Sequence, residues 1–464
     1  MPFPVPVERQ REVVYLPVKG HNVILGTAGS GKTTMAILRA AFLADPELPG
    51  NGPVLLLTYN KALSSYIRTI SEGRLRNVTV EHYHKFARGY LASRGLMGRN
   101  DILNAIPRRG LVAVALAEVQ SLNPPTAFLS RTVNFFDTEV GWIAKSGITD
   151  LATYLAASRI GRGEPLLESA RRLIWDIRER YLAKRSAASR RYDWDDVATT
   201  VTEQLALDTN PRRYKHIVID EGQDLSPQML RSIASAIPPD GTITFFGDVA
   251  QQIYGQRVSW RSAGLKPPEV WKFSENYRNS REIAALGLAI AQMDYYRGVA
   301  DMVLPSAPKA AGPKPTIVEV LGEKSEAQFV AEQATAISRS RSVAVLVRTV
   351  NQQTVMQQHL PRTTINLRED GAVWVDGPQL YLGTYHSAKG LEFDAVILPF
   401  LGDDLFPDPN QVADFGPVEA DANDGRLLYV GVTRAKSALI ITHKGLKSHL
   451  LPSGPADLYT MTTR

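Results

Sequence analysis

The stretch from Gly26 to Thr34, GTAGSGKTT, limits what this chain can fold into more than any other part of it. It has the form GxxxxGK[ST]. An apolar β-rich run, NVIL, leads into it and a helix-patterned run, TTMAILRAAFL, leads out. A phosphate cradle needs that context: the glycines let successive backbone N–H groups wrap an anion, and the helix N-terminus adds partial positive charge. Gly26, Thr27, Ala28, Gly29, Ser30, Gly31, Lys32, Thr33 and Thr34 are therefore expected to line a nucleotide site. Lys32 would reach the β- and γ-phosphates, and the Thr33 hydroxyl would ligate Mg²⁺. A glycine-rich turn with no ligand is the competing reading, and the strand and helix on either side argue against it.

The loop sits in a repeating pattern. Asn22–Gly26, Pro53–Tyr59, His216–Asp220 and Thr242–Asp248 are apolar strand-like runs joined by amphipathic helical stretches. A second set follows at Thr316–Val320, Val343–Val347, Tyr381–Tyr385, Ala395–Pro399 and Ala438–His443. Strands alternating with helices predict an α/β fold with parallel sheets, here in two lobes. Residues 90–190 carry helical periodicity and few strand signals. The expected organisation is a first lobe of residues 1–88 and 192–274, a helical insertion of residues 89–191, and a second lobe of residues 275–464.

Further motifs follow in a fixed order: LLLTYNKAL, VEHYHKFAR, IVIDEGQD, FFGDVAQQIYG, ENYRNS, YLGTYHSAKGLEF and LYVGVTRAK. The set, from Gln10 to about Thr442, resembles the UvrD/Rep/PcrA helicases of superfamily 1A. That resemblance implies two RecA-like lobes with a small accessory insertion, ATP and Mg²⁺ as cofactors, and DNA-stimulated ATP hydrolysis. Asp220 would hold Mg²⁺, and Glu221 would position and deprotonate the attacking water. Gln251, Arg278 and Arg434 would meet the γ-phosphate, the two arginines reaching it from the second lobe. Gln10 would read adenine, Tyr277 would stack on it, and Glu392 would lie near the ribose. Thr58, Tyr59, Asn60, Tyr83, His84, Tyr254, Trp260, Thr384 and His386 would contact DNA, because aromatic stacking holds single strands without reading sequence.

The chain departs from the family at several positions. Thr34 stands where relatives have an arginine that sandwiches adenine, Gly222 where they have an aromatic residue or Ala, His82 for Thr, and Gln256 for a stacking aromatic. Arg348 and Tyr381 are also too close in sequence to hold the large second-lobe insertion of the bigger relatives. The expected function is an ATP-driven motor on single-stranded DNA or 3′-tailed duplex, moving 3′ to 5′. The alternative is a DNA-activated ATPase switch, a subunit of a nuclease or defence complex of the Gabija kind.

Composition fits both. With 44% hydrophobic and 22% charged residues the chain reads as a soluble, cytoplasmic protein with no membrane segment. Having no cysteine excludes disulfides, thiolate zinc sites and iron–sulfur clusters. The net charge is +6, yet residues 89–191 alone hold 14 Arg and 2 Lys against 9 Asp and Glu, a net of +7. That surplus, including Arg171, Arg172, Arg178 and Arg180, is expected to touch phosphates rather than to form only a solvated face.

Overall fold

The computed structural model describes residues 5–6, 9–59, 61–71, 75–159, 165–248, 263–296, 306, 308, 310–321, 325–368, 374–375, 377–453 and 457–464. The chain opens on a short helix, α1 (Arg9–Val14). It then alternates β1 (His21–Gly26), α2 (Lys32–Ala44), β2 (Val54–Thr58), α3 (Lys61–Ile70), β3 (Val78–His82) and α4 (Tyr83–Ser93). The insertion follows, with β4 (Ile102–Leu103), α5 (Ala105–Leu122), α6 (Val133–Ser146), α7 (Leu151–Ala156), α8 (Glu168–Ala187) and β5 (Tyr192–Asp193). The expected boundary at residues 88 and 89 therefore falls inside α4, which packs with the first lobe's core through Tyr83, Ala87 and Leu91.

The first lobe resumes with α9 (Val197–Leu207), β6 (His216–Asp220), α10 (Pro227–Ser235), β7 (Thr242–Gly247) and β8 (Val270–Phe273). Its sheet runs β3-β2-β6-β7-β1-β8, every pair parallel. The central strands β1, β2, β6 and β7 are buried almost throughout, as a parallel sheet covered by helices on both faces requires. Their C-terminal ends bring the glycine-rich loop, Asp220 and Asp248 to one edge, the edge where open α/β sheets bind ligands.

The second lobe contains α11 (Arg281–Ala291), β9 (Thr316–Glu319), α12 (Glu326–Ile337), β10 (Ser342–Val347), α13 (Val350–His359), β11 (Ile365–Asn366) and β12 (Gln379–Thr384). It ends with β13 (Phe393–Leu398), α14 (Pro409–Phe415), α15 (Pro417–Val432), β14 (Ala435–His443) and β15 (Thr460–Thr463). Its order is β11-β12-β10-β13-β14-β9-β15, again parallel. Among the described residues, no helix is long and apolar enough to cross a membrane.

Most of the insertion's arginines hold the insertion itself together. Arg171 donates to the carbonyls of Tyr154, Leu155 and Ala157 at the end of α7. Arg172 pairs with Glu168, and Arg180 pairs with Asp176 and Glu118. Arg178 pairs with Glu179 and lies 4.4 Å over the Trp175 ring. These four already have partners within the protein, so the charge that α8 has left for phosphates is smaller than the sequence suggests. The insertion is anchored to the lobe by an acidic run, in which Asp193 accepts from Tyr181 (2.6 Å) and Arg185 (3.0 Å). Arg108 reaches Asp195 (2.9 Å) from the same junction.

Candidate nucleotide and nucleic-acid sites

The glycine-rich loop adopts its shape through two left-handed residues, Gly29 (φ 79°) and Gly31 (φ 83°). Gly29 also has no room for a side chain, since a Cβ would stand 2.2 Å from Asn276 Oδ1 and 2.8 Å from Arg278 Cβ. The loop thus lies directly against the ENYRNS segment, and the Tyr277 amide donates to the Gly29 carbonyl (2.9 Å). Gln10 donates to the Ser30 carbonyl (3.1 Å) from the other side. Its segment is tied down by buried Arg39, which donates to the Val14, Leu16 and Pro17 carbonyls. The Tyr277 side chain is exposed.

Inside the loop, Lys32 Nζ donates to the Gly26 (2.8 Å) and Thr27 (2.7 Å) carbonyls and stands 3.7 Å from Asp248. Burial lowers its pKa, while Asp248 and Glu221 pull the other way. Asp220 is pushed up to about 7 by burial and by the neighbouring Glu221. Burial also acts against ionisation of Glu221, but Lys389, Lys32 and Arg434 together outweigh it and hold that carboxyl below its ordinary range. Two adjacent carboxyls with their pKa values driven apart are what an acid–base site needs. Glu221 also has φ 53°, a left-handed backbone that non-glycine residues adopt at a cost.

Asp220 Oδ2 is buried without a hydrogen-bond partner, and the Thr33 hydroxyl lies beside that carboxyl. Mg²⁺ in nucleotide sites is held by one or two carboxylates plus substrate phosphates, so these two groups fit it. Gln223 links the centre to its surroundings, donating to Glu221 (2.5 Å) and accepting from the Asp248 amide (2.9 Å). Gly222 has its explanation here too. A Cβ there would lie 2.3 Å from the Phe245 ring, so Phe245 on β7 leaves no room for a side chain at this position.

From the second lobe, Arg278 forms an ion pair with Glu392, and its buried Nε has no hydrogen-bond partner. Asn279 ties this segment to the Thr433 and Ala435 carbonyls, which brings Arg278 and Arg434 into one cluster. Arg434 is 1% exposed and donates to the Val430 and Leu391 carbonyls. It is thus held on its own lobe, with its pKa lowered to about 10 by burial and by Arg278.

The other side of the lobe junction holds a cavity of about 270 Å³, lined by Tyr59, Lys61, Asp224, Arg368, Thr384, His386, Ser387 and Lys389. Three of the expected DNA-contacting residues meet there, namely Tyr59, Thr384 and His386. His386 is driven down to about 3 by burial, Arg348 and Lys389, so it is neutral at neutral pH. His84 stands 6.0 Å from Tyr59 and 4.9 Å from Trp194, ring to ring. Trp194, with Arg88 6.0 Å from its ring, extends the aromatic file and was not anticipated.

Two expected contacts are corrected. Tyr83 is fully buried in the first lobe's core, with its hydroxyl 2.7 Å from Ser232 Oγ. Thr58 is fully buried at the end of β2, opposite Asp220. Asn60, Gln251, Tyr254, Gln256 and Trp260 lie outside the described residues.

Sequence reasoning also missed the group that joins the two sites. Lys389 forms a 2.7 Å ion pair with Asp224 across the lobes, both 2% exposed. Each lies three positions from a residue that was expected to matter, Asp224 from Glu221 in DEGQD and Lys389 from Glu392 in AKGLEF. The pair is backed by apolar contacts: Gly390 presses on Leu63, and Trp374 lies 5.2 Å from Tyr66 of α3.

Two parallel α/β lobes facing each other across a phosphate loop, with paired carboxyls on one lobe and arginines on the other, define a P-loop ATPase of the two-lobed motor class. An AAA domain family model matches residues 10–257, more than half the chain, and a UvrD-like helicase C-terminal domain model matches residues 363–445. The chain belongs to the UvrD-like DNA helicases and is an ATP-hydrolysing enzyme of that family. It is 23% identical to a probable DNA helicase of Mycoplasma pneumoniae, over 92% of this chain and 82% of that one. It is 22% identical to the ATP-dependent DNA helicase UvrD2 of Mycobacterium tuberculosis, over 94% of this chain and 78% of the relative. With the ATP-dependent DNA helicase srs2 of Schizosaccharomyces pombe it shares 27% identity over 62% of this chain and 35% of the other.

Proposed function

We propose that the chain is a single-strand DNA translocase moving 3′ to 5′, in which strand binding in the 270 Å³ cavity sets the hydrolysis rate at Glu221. The observation that carries this reading is the Asp224–Lys389 pair. Both residues line the cavity, and Lys389 is the strongest charge acting on Glu221 after burial itself. A strand that displaces Lys389 changes the electrostatics of the catalytic carboxyl directly. Lys32 and the loop amides bind the phosphates, and Asp220 and Thr33 hold Mg²⁺, which neutralises charge on the phosphates when bound. Glu221 accepts the proton of the attacking water, Gln251 and Arg278 meet the γ-phosphate, and Arg434 joins them once its carbonyl contacts break. Gln10, Tyr277 and Glu392 position the nucleoside. Tyr59, His84, Thr384 and His386 grip the strand, and the reaction takes place in the cytoplasm.

The 3′-to-5′ direction is supported by the motif resemblance alone. Displacement of streptavidin from biotin at either end of an oligonucleotide tests it, and faster release from the 3′ end would reverse it. One observation favours a second reading, that of an ATPase switch in a nuclease or defence complex. Between β10 and β12 the second lobe carries α13 and the two-residue β11, with no helical or stranded domain among the described residues. Unwinding of a 3′-tailed fork by the chain alone would favour the motor, and ATP turnover without unwinding would favour the switch.

A further inference from the structure

We infer that the cleft takes its strand through a closed ring of protein, so that its preferred substrate is a single strand with a free end. This rests on the single-strand reading above. The ring can be traced residue by residue. Its floor is the Asp224–Lys389 pair, with Gly390 seated on Leu63. One wall rises from Tyr59 through His84 to Trp194. Beside Trp194, Asp195 holds Lys145 of α6 (3.2 Å) and Arg108 (2.9 Å).

Helix α6 then crosses from lobe to lobe. Its C-terminal end is fixed to the first lobe, where Arg231 of α10 donates to the Ser146 carbonyl (2.8 Å) and Gly147 abuts Gln228. Its N-terminal end is fixed to the second lobe: Thr132 bonds to Asp414 of α14, and Asn134 donates to the same carboxylate (2.5 Å). Phe135 lies 6.4 Å from Phe415, which packs on the insertion's core. Fourteen helical residues span about 21 Å, enough to bridge a cleft.

The second wall closes the circuit. The N-cap of α14 is Asp408, whose amide donates to Asp424 (2.6 Å), and Asp424 takes Arg348 at 2.7 Å. Arg348 follows β10, whose last residue, Val347, pairs with Thr384, and Thr384 and His386 line the cavity. Tyr59, Thr384 and His386 therefore lie on the circuit that these contacts trace. The weakest link is the Asp414 clasp, which is polar and largely solvent-exposed.

The chain has no cysteine, so the clasp can be locked at one place. Asn134→Cys with Asp414→Cys, joined by a short bis-maleimide, is compared with the same protein capped by a monofunctional maleimide. The probes are a linear oligonucleotide and the same oligonucleotide ligated into a circle. The locked protein should bind the linear strand as the capped one does and lose measurable binding to the circle. Protein locked after loading on the circle should stay there at salt that strips the capped form. Equal binding of circle and line by the locked protein would place the strand outside the ring and overturn the inference. Failure of the short reagent to join the two thiols would overturn the clasp. If the capped protein binds neither probe, the single-strand reading itself falls. Asp414→Ala supplies a second measurement and should speed loading on the circle without changing it on the line; no change on either would count against the clasp.

Discussion

The two sides of the lobe junction are built differently. The nucleotide side is dense with charge and tightly bonded: Lys32, Asp220, Glu221, Gln223, Asp248, Arg278 and Glu392 are linked by ion pairs and hydrogen bonds before any ligand arrives. The strand side is a small cavity with the Tyr59 ring, three neutral hydrogen-bonding side chains (Thr384, His386 and Ser387), the Asp224 carboxyl and three cations. Phosphoryl transfer demands fixed electrostatics, because the transition state's charge must find its partners already oriented. A translocase needs the reverse on its track, a grip that can be released at each step. The difference shows where the protein is rigid and where it must let go, and Asp224–Lys389 is the point at which one acts on the other.

The largest effects should come from the rigid side. Lys32→Ala loses phosphate binding, and Glu221→Gln keeps it but should lower turnover by about 10²–10⁴, the usual worth of a positioned base. Steady-state ATPase with nucleotide binding measured in parallel separates the two. If Glu221→Gln retained more than about a tenth of the turnover, it would remove that residue as the base.

Next comes the junction. Lys389→Met strands the Asp224 carboxylate in a buried site and should cost about 3–5 kcal/mol in denaturant unfolding. Adding Asp224→Leu should recover most of that loss, since a buried pair is often replaceable by apolar residues. What should not return is the dependence of ATP turnover on DNA. If the double variant is still stimulated, the pair is structural only.

On the strand side, Tyr59→Ala should weaken oligonucleotide binding by about 1–3 kcal/mol, the worth of one stacked base. A change confined to nucleotide binding would dissolve the contrast between the two sides. The same contrast predicts opposite pH behaviour. With Asp220 pushed up to about 7, protons compete with Mg²⁺ as pH falls below neutrality, so the Mg²⁺ needed for half-maximal turnover should rise about tenfold per unit there. His386 titrates far lower, so strand affinity in that range should owe nothing to it, and His386→Gln should leave its pH profile unchanged. The smallest expected effect is at Tyr83→Phe, which should cost about 1 kcal/mol of stability and leave strand affinity intact. Weaker strand binding would restore Tyr83 as a contact.

How much of this was legible in the sequence follows the same division. The strands are continuous apolar runs because both faces of a parallel sheet are buried, so all nine expected ones sit where the structure has strands. The glycine-rich loop and the residues beside it could be placed because their chemistry is local: a loop, a helix start and a strand end suffice. The track could not, since what an aromatic residue does depends on what packs around it. Tyr83 and His84 are adjacent in one motif, yet Tyr83 points into the core and His84 stands in the aromatic file. The insertion misled for a related reason. Its net charge is real, but Arg171 bonds to carbonyls of α7 that only the fold brings near, while Arg172, Arg178 and Arg180 pair with Glu168, Glu179 and Asp176 of their own helix, Arg180 also reaching Glu118 of α5. Asp224–Lys389 and the Asp414 clasp join residues far apart in the chain, and neither has a local signal.

The most direct test of the central claim is ATP turnover by the intact chain, measured with and without a single-stranded oligonucleotide. The coupling through Lys389 predicts a slow rate alone and a strong rise on DNA, with Arg434→Ala losing the rise while still binding the strand. Equal rates with and without DNA, in a protein shown to bind it, would contradict the account.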